Sequence, residues 1–250
     1  MTETIMANIR GNDDDNRLNG TNLVDRIWGM SGDDTINGYN GADTIDGGEG
    51  NDRINAGQGH NRVLGGEGND VITAGAGNDI IDAGDGNDVV NAGHGNNRIT
   101  LGEGNDSAVT GSGADQIWAG EGNDVVRSGA GADIIYGGEG DDRILAEAGN
   151  DRLIGHEGND TLNGGAGNDT MSGGEGADVF VWNGGRDVIT DFENGDDRID
   201  LSYYARFDSF ADIRGAAVQS GDSVVINAGA DRVVIQDMRL NQLSSDDFSW

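Results

Sequence analysis

Residues 65 to 100 read GGEGNDVITAGAGNDIIDAGDGNDVVNAGHGNNRIT, one nine-residue phrase given four times, with Asn97 in the last copy where the first three have aspartate. With Gly11 as position one, the same phase runs without insertion to Val181, a stretch of 19 nonapeptides. Position four is glycine in the 17 copies from Gly32 to Gly176, and position six is aspartate in 16 of the 19. Position eight is Ile, Val, Leu, Met or Phe everywhere except Ala108. Such strict phase predicts stacked, nearly identical coils, because each short unit can bury its apolar side chain only against its neighbours.

The rest of the composition says what such a stack must overcome. The 250 residues include 46 glycines and neither proline nor cysteine, and only 34% hydrophobic residues stand against a formal charge of −31. That balance lies near the disordered class, so the chain compacts only when something neutralises its carboxylates. All 15 basic residues are arginine, and the lack of lysine removes P-loop, Schiff-base and lysine-base chemistry. With 46 acidic residues to 15 basic, a nucleic-acid partner is excluded on sign. Cations are the natural partner. The start, MTETIMANIR, has no basic region followed by an apolar run, and no segment approaches the roughly 18 apolar residues of a membrane span. The absence of cysteine suits either the cytosol or a secreted protein that uses metal in place of disulfides.

Three strand residues per repeat would let position eight alone point inward, with positions seven and nine outward. Glycine at positions two and four allows a turn closed to other residues, and the carbonyls it exposes, joined by the aspartate, form a hard oxygen cage suited to calcium. If two repeats make one coil, odd and even repeats place their turns along opposite edges. On the odd edge position three reads Ser31, Glu49, Glu67, Asp85, Glu103, Glu121, Glu139, Glu157 and Glu175; on the even edge it is mostly small and neutral.

The pattern G-G-x-G-x-D-x-U-x resembles the nonapeptide of the repeats-in-toxin (RTX) family, closely over residues 20 to 181 and in degenerate form in the first copy, GNDDDNRLN. The resemblance implies an all-β fold, a right-handed parallel β-roll of two sheets with six-residue turns and three-residue strands, closed by a small C-terminal cap. It also implies calcium as the ligand, held by Asp34, Asp43, Asp52, Asp70, Asp79, Asp88, Asp106, Asp115, Asp124, Asp133, Asp142, Asp151, Asp160, Asp169 and Asp178. The odd column from Asp34 to Asp178 is unbroken and offers about eight inter-turn sites, with several more on the even edge. Filling the eight would move the charge from −31 to about −15. On the even edge Asn61 and Asn97 replace the aspartate, as Asn16 does in the degenerate first copy, and each is followed by arginine: Arg62, Arg98 and Arg17. This reads as guanidinium standing in for metal charge, with weaker or empty sites beside Asn61 and Asn97.

Past Val181 the phase is expected to be lost. The expected organisation is a tail at 1–10, the roll at 11–181 and a cap at 182–250. DVITDFENGDDRIDLS at 187–202 resembles the segment that ends the rolls of serralysin-type secreted proteases. A helix is expected around FDSFADIRGAAVQSG, then two strands in SVVINAG and DRVVIQD, and the ending LSSDDFSW resembles an uncleaved type I secretion signal. An outward group, Trp118, Tyr136, Ile154 and Ile134, calls for a cover, either the cap, self-association or a glycan.

Catalytic motifs are missing. There is no H-E-x-x-H, no G-x-S-x-G, and His60, His94 and His156 all sit in repeat turns. DDDN at 13–16 has Leu18 where an EF-hand loop needs glycine. Family enzymes carry catalysis in other domains, and with Met1 so close before the roll the chain reads as a complete small protein. The expected function is therefore a secreted, non-enzymatic calcium-binding protein of matrix, surface or adhesion type, exported by a type I apparatus and located outside the cell or on its surface. A secretion module of an RTX enzyme and a membrane-active nodulation-type pore are the alternatives.

Overall fold

The computed structural model describes residues 7–250, which form two compact units divided between Gly129 and Ala130. In the first unit, strands alternate between two parallel sheets. One holds Ala7–Arg10, Asp25–Ser31, Thr44–Glu49, Arg62–Glu67, Ile80–Asp85, Arg98–Glu103 and Gln116–Glu121; the other begins with Arg17–Asn19, Thr35–Asn37 and Arg53–Asn55 and ends at Val125–Arg127. Ile45 pairs with Val63, Val63 with Ile81 and Ile81 with Ile99. Across the core Ile36 pairs with Ile54, and Ile54 with Ile72. Each step equals two nonapeptides, the expected coil length, and the register is interrupted in this unit by a bulge between Asn91 and Gly93.

The two sheets are unequal. Strands such as Ile80–Asp85 run six residues and cross the repeat boundary, whereas Val71–Thr73 has the expected three. On the odd edge the ladder continues through the glycines, Gly48 opposite Gly66 and Glu49 opposite Glu67. Gly48 takes φ 111° and Gly50 φ 121°, conformations that a side chain resists, and a β-carbon on either would strike a carbonyl of the coil before.

A second residue of each repeat also lies inside. Inward positions recur every second residue, so position one, two residues after position eight, is buried as well, both where the strand runs through it, as at Ala83 in Ile80–Asp85, and where the strand stops at position nine, as at Ala74 after Val71–Thr73. Ala56, Ala74, Ala83, Ala92, Leu101 and Ala119 are fully buried beside the position-eight stack of Ile27, Ile45, Val63, Ile72 and Ile99. The expectation that position eight alone faces inward is corrected accordingly. This also accounts for Ala108, the one small residue at position eight: Leu101 in the same coil is the one leucine at position one, and both are fully buried. Volume is kept by exchanging large and small residues between the two facing sheets. Ala108→Ile is expected to overpack that coil and destabilise the first unit by about 1–3 kcal/mol, read from denaturant unfolding in calcium.

In the second unit the stack is Ile135, Leu153, Met171 and Ile189 on one sheet and Ile144, Leu162 and Phe180 on the other. The pair Met171 and Ile189 keeps the step of two nonapeptides, so the phase does not end at Val181. One further repeat, WNGGRDVIT, runs from Trp182 to Thr190. After it Phe180 pairs with Ile199 at a step of 19, a single inserted residue. The open end is then covered by Asp231–Ile235, parallel to Arg186–Ile189, and by the antiparallel strands Ser223–Ala228 and Ala217–Ser220. Val224, Ile226, Val233 and Ile235 alternate inward, as a half-buried hairpin requires. The helix is short, Phe210–Ala216, capped by the Ser209 side chain. The C-terminal residues Phe248–Ser249 form a strand parallel to Arg198–Asp200, and Asp247 before them is fully buried, its Oδ2 accepting from Ser244 N at 2.7 Å.

Trp182 lies fully buried where the last repeat meets this closure, 4.4 Å from the Tyr204 ring and 6.2 Å from Phe207. Trp182→Ala is expected to cost about 3–5 kcal/mol, measured as a shift of the chemical unfolding midpoint in saturating calcium.

Four position-two residues carry positive φ without being glycine: Met30, Tyr39, Glu147 and His156. Glu147, at φ 68°, bears the strain on an exposed turn. Glu147→Gly is expected to stabilise the second unit by about 1 kcal/mol; an unchanged thermal midpoint would count against strain at this turn.

The outward aromatic group is covered by its own neighbours. In the first unit the Arg98 guanidinium carbon stands 4.4 Å from the Trp118 ring centroid. In the second, Tyr136 stacks on His156 at 6.0 Å, Ile134 is half-buried and Ile154 is only 9% exposed.

Candidate metal centre

All fifteen predicted aspartates are buried, none more than 3% exposed. The cause is the pleat: position six is two residues before position eight and shares its inward face. Burial of so many acids would be prohibitive without partners, and the partners are systematic. In the first unit the Asp34 N–H donates to Asp52 Oδ1, Asp52 to Asp70, Asp70 to Asp88 and Asp88 to Asp106, each at 2.7 Å. In the second, Asp142 donates to Asp160 and Asp160 to Asp178 at 2.8 Å, and on the other edge Asp133 to Asp151 at 2.8 Å and Asp151 to Asp169 at 2.9 Å. One oxygen of each carboxylate thus holds the backbone of the preceding coil.

The other oxygen is left over. Among the described residues, Oδ2 of Asp34, Asp43, Asp52, Asp70, Asp79, Asp88, Asp106, Asp151, Asp160, Asp169 and Asp178 is buried and receives no hydrogen bond. These atoms face other acceptors. A β-carbon placed on Gly38 would lie 2.5 Å from the Ala56 carbonyl oxygen and 2.7 Å from Asp43 Oδ2. The same space beside Gly47 is bounded by Asp52 Oδ2 and the Gly65 carbonyl, and beside Gly155 by Asp160 Oδ2 and the Gly173 carbonyl. Two acceptors that converge on one small space repel unless a positive group lies between them. No group of three or more carboxylates or imidazoles converges on a point among the described residues, so a cation here would take one or two carboxylate oxygens and complete its shell with backbone carbonyls. That is a donor set for a hard cation such as Ca²⁺.

Protonation shows the same stress. Burial first, then neighbouring carboxylates of the column, pushes Asp70, Asp124 and Asp151 up to about 7 and Asp52 and Asp106 to about 6.

Two aspartates outside the predicted set extend the columns. Asp187 accepts from Asp169 N at 3.0 Å and is raised by burial to about 7; Asp197 accepts from Asp178 N at 2.9 Å and from Glu193 N at 2.8 Å. Asp187 sits in phase at position six of WNGGRDVIT, and the Gly184–Gly185 pair is the sequence signal for it. Asp25, at the head of the even column, differs. Its turn has Thr21 and Leu23 where glycine is usual, and Thr21 N–H donates to Asp25 Oδ2 at 2.6 Å, which leaves no orphan oxygen. The arginines that follow the asparagines do not enter the turns. Arg17, Arg62 and Arg98 occupy position seven, on the outer face, and are exposed, and Arg98 covers Trp118. The expectation that guanidinium replaces metal charge is corrected by the alternation of the strand.

No curated protein sequence matches the chain. Among solved structures it is similar to a subunit of the mannuronan C5-epimerase of Azotobacter vinelandii at 27% identity, over 55% of this chain and 78% of that one, with a TM-score of 0.34. An extracellular lipase of Serratia marcescens is 21% identical over 70% of this chain and 40% of its own, TM-score 0.33. A hyperactive, Ca²⁺-dependent, β-helical antifreeze protein from an Antarctic bacterium is 22% identical over 92% and 97%, TM-score 0.32. A family model described as RTX calcium-binding nonapeptide repeat (4 copies) matches in overlapping copies from residues 19–54 to 154–189. With that match, the two-sheet roll of paired nonapeptides and the buried aspartate columns, the chain belongs to the RTX calcium-binding nonapeptide repeat family.

Proposed function

We propose that this chain is a secreted, non-enzymatic RTX protein that folds on meeting calcium outside the cell and serves there as a structural, matrix, surface or adhesion element. The observation that carries the reading is the row of buried Oδ2 atoms facing carbonyl oxygens across turns. In this reading the position-six aspartates from Asp34 to Asp178 are the carboxylate ligands, several ions fill each odd column, and the even columns hold fewer. Asp187 and Asp197 act as the terminal rungs of the second unit, where the closure begins. Among the described residues no helix is long and apolar enough to cross a membrane.

Cytosol holds little free calcium, so carboxylates that repel inside the cell keep the chain extended, and the ion found outside draws the coils together. Export in the unfolded state and folding after export then follow from one property of the turns. The docked position of Phe248–Ser249 against Arg198–Asp200 supports the same order, because the C-terminal ending is free to be read only before the second unit closes. The test is fractionation of the producing cells with and without a calcium chelator. Protein recovered from the medium or cell surface in a calcium-dependent form is the expected result. A chain that stays folded in the cytosol and binds no calcium on equilibrium dialysis would overturn the reading.

A further inference from the structure

The even column of the first unit contains Asn61 and Asn97, and their side chains are not merely weaker aspartates. Oδ1 of each keeps the place of the carboxylate oxygen in the ladder, accepting from Asp43 N and Asp79 N at 3.0 Å. That bond fixes which way the amide faces, and the nitrogen therefore points where the aspartates have their orphan oxygen. Asn61 Nδ2 donates to the Gly59 carbonyl at 3.4 Å and to the Ala74 carbonyl at 3.5 Å. Asn97 Nδ2 donates to the Gly95 carbonyl at 3.1 Å.

The acceptors are the informative part. Ala74 is position one of the next even repeat, the counterpart of Ala56, whose carbonyl oxygen faces Asp43 Oδ2 one coil earlier. At Asp43 two acceptors confront each other; at Asn61 an N–H group lies between the corresponding atoms. The amide supplies the positive end that the aspartate turns lack. Both turns also carry a histidine, as GQGHNR and GHGNNR. His60 Nδ1 accepts from Asn78 N at 2.7 Å and His94 Nδ1 from Ser112 N at 3.1 Å, so an imidazole fastens each turn to the next coil.

We propose that the turns of Asn61 and Asn97 are built to hold without a cation, the carboxamide N–H joining the side chain to a turn carbonyl as the ion would join the carboxylate, so that the even edge of the first unit carries calcium-independent fastenings between calcium-dependent ones. The inference rests on the calcium-binding reading of the aspartate turns. It predicts that restoring the carboxylate creates a need: Asn61→Asp and Asn97→Asp should each add about one bound ion and raise the calcium concentration at which the first unit folds. Asp88→Asn, on the odd edge, should lose an ion.

The experiment is equilibrium dialysis of the full chain against calcium, with bound metal measured by atomic absorption, for the wild type and the three variants, alongside calcium titrations followed by hydrogen exchange at residues 56–100. An increment in both Asn→Asp variants with a raised midpoint supports the proposal. A wild type that binds calcium while neither variant binds more overturns it and leaves the functional reading standing; a wild type that binds none overturns both. Should an Asn→Asp variant fail to fold even in calcium, a crystal structure of the calcium-loaded wild type decides: an ion beside Asn61 or Asn97 refutes the inference, and an ion-free amide contact there upholds it.

Discussion

At neutral pH and in excess chelator the chain is expected to give the circular dichroism of a coil, and titration with calcium through about 10⁻⁴ to 10⁻³ M to convert it to a strand spectrum. The effect is the whole fold, because the favourable terms are small without the ion. Inward side chains amount to one branched residue and one small residue per repeat, as in Ile81 with Ala83 or Ile72 with Ala74, so each coil buries little apolar area against the entropy of fixing two whole nonapeptides. Against this stand a formal charge of −31 and a row of buried carboxylate oxygens facing carbonyls. Each ion placed between coils removes two charges and converts a repulsive contact into a bonded one, and each site formed orders the turn that makes half of the next. The transition should therefore be cooperative in calcium, and magnesium, which demands a tighter and more regular shell, should substitute poorly. A strand spectrum in chelator at pH 7, or a magnesium titration that matches the calcium one, would show that the roll stands on packing alone.

The periodic part of this architecture is plain in the sequence, and the hidden parts are those where residue identity does not mark the inward face or where the phase shifts. Position eight and position six announce themselves by identity, since only apolar residues fill the stack and aspartate is rare inside without a partner. Position one does not, because its occupants are Gly and Ala with Leu101, Thr110, Ser128 and Trp182 among them. It is an inward position because it lies two residues after position eight, on both sheets, whether the strand carries on as in Ile80–Asp85 or stops at position nine as in Val71–Thr73. Trp182 reads as the point of closure yet begins another repeat: that tryptophan at position one and Asn183 at position two obscure a phase that Gly185, Asp187 and Ile189 keep. The step of 19 before Asp197 is an insertion that no strict period reveals. Asn97, by contrast, is visible as an interruption in the sequence alone, which does not say what replaces the charge. Strand alternation sends Arg98 outward to Trp118 and leaves the amide of Asn97 itself to meet the Gly95 carbonyl.

Without calcium, acid is expected to do part of the ion's work. Burial and neighbouring carboxylates raise Asp70, Asp124, Asp151 and Asp160 to about 7 in the folded chain, while an aspartate in the unfolded chain titrates near the ordinary value of about 3.9. Between those values the folded state binds more protons than the unfolded one, so the stability of the calcium-free roll falls as pH rises through that window. It is greatest below about pH 4, where the carboxylates are protonated in both states, and is lost by the time the pH passes about 7. A protonated Oδ2 becomes a donor and can bond to the carbonyl it would otherwise repel, which is the same service the Asn61 amide performs permanently. With calcium present the sign reverses for binding: proton and ion compete for one oxygen, so the calcium concentration needed for folding should rise as pH falls from 7 toward 5. Circular dichroism of metal-free protein from pH 8 to 3, with sedimentation velocity to separate compaction from association near the sequence pI of 4.1, tests both halves. Monomeric strand signal growing on acidification supports the account, whereas a metal-free chain that remains coil to pH 3, or a calcium midpoint indifferent to pH, would mean that the buried aspartates are not what holds the coils apart.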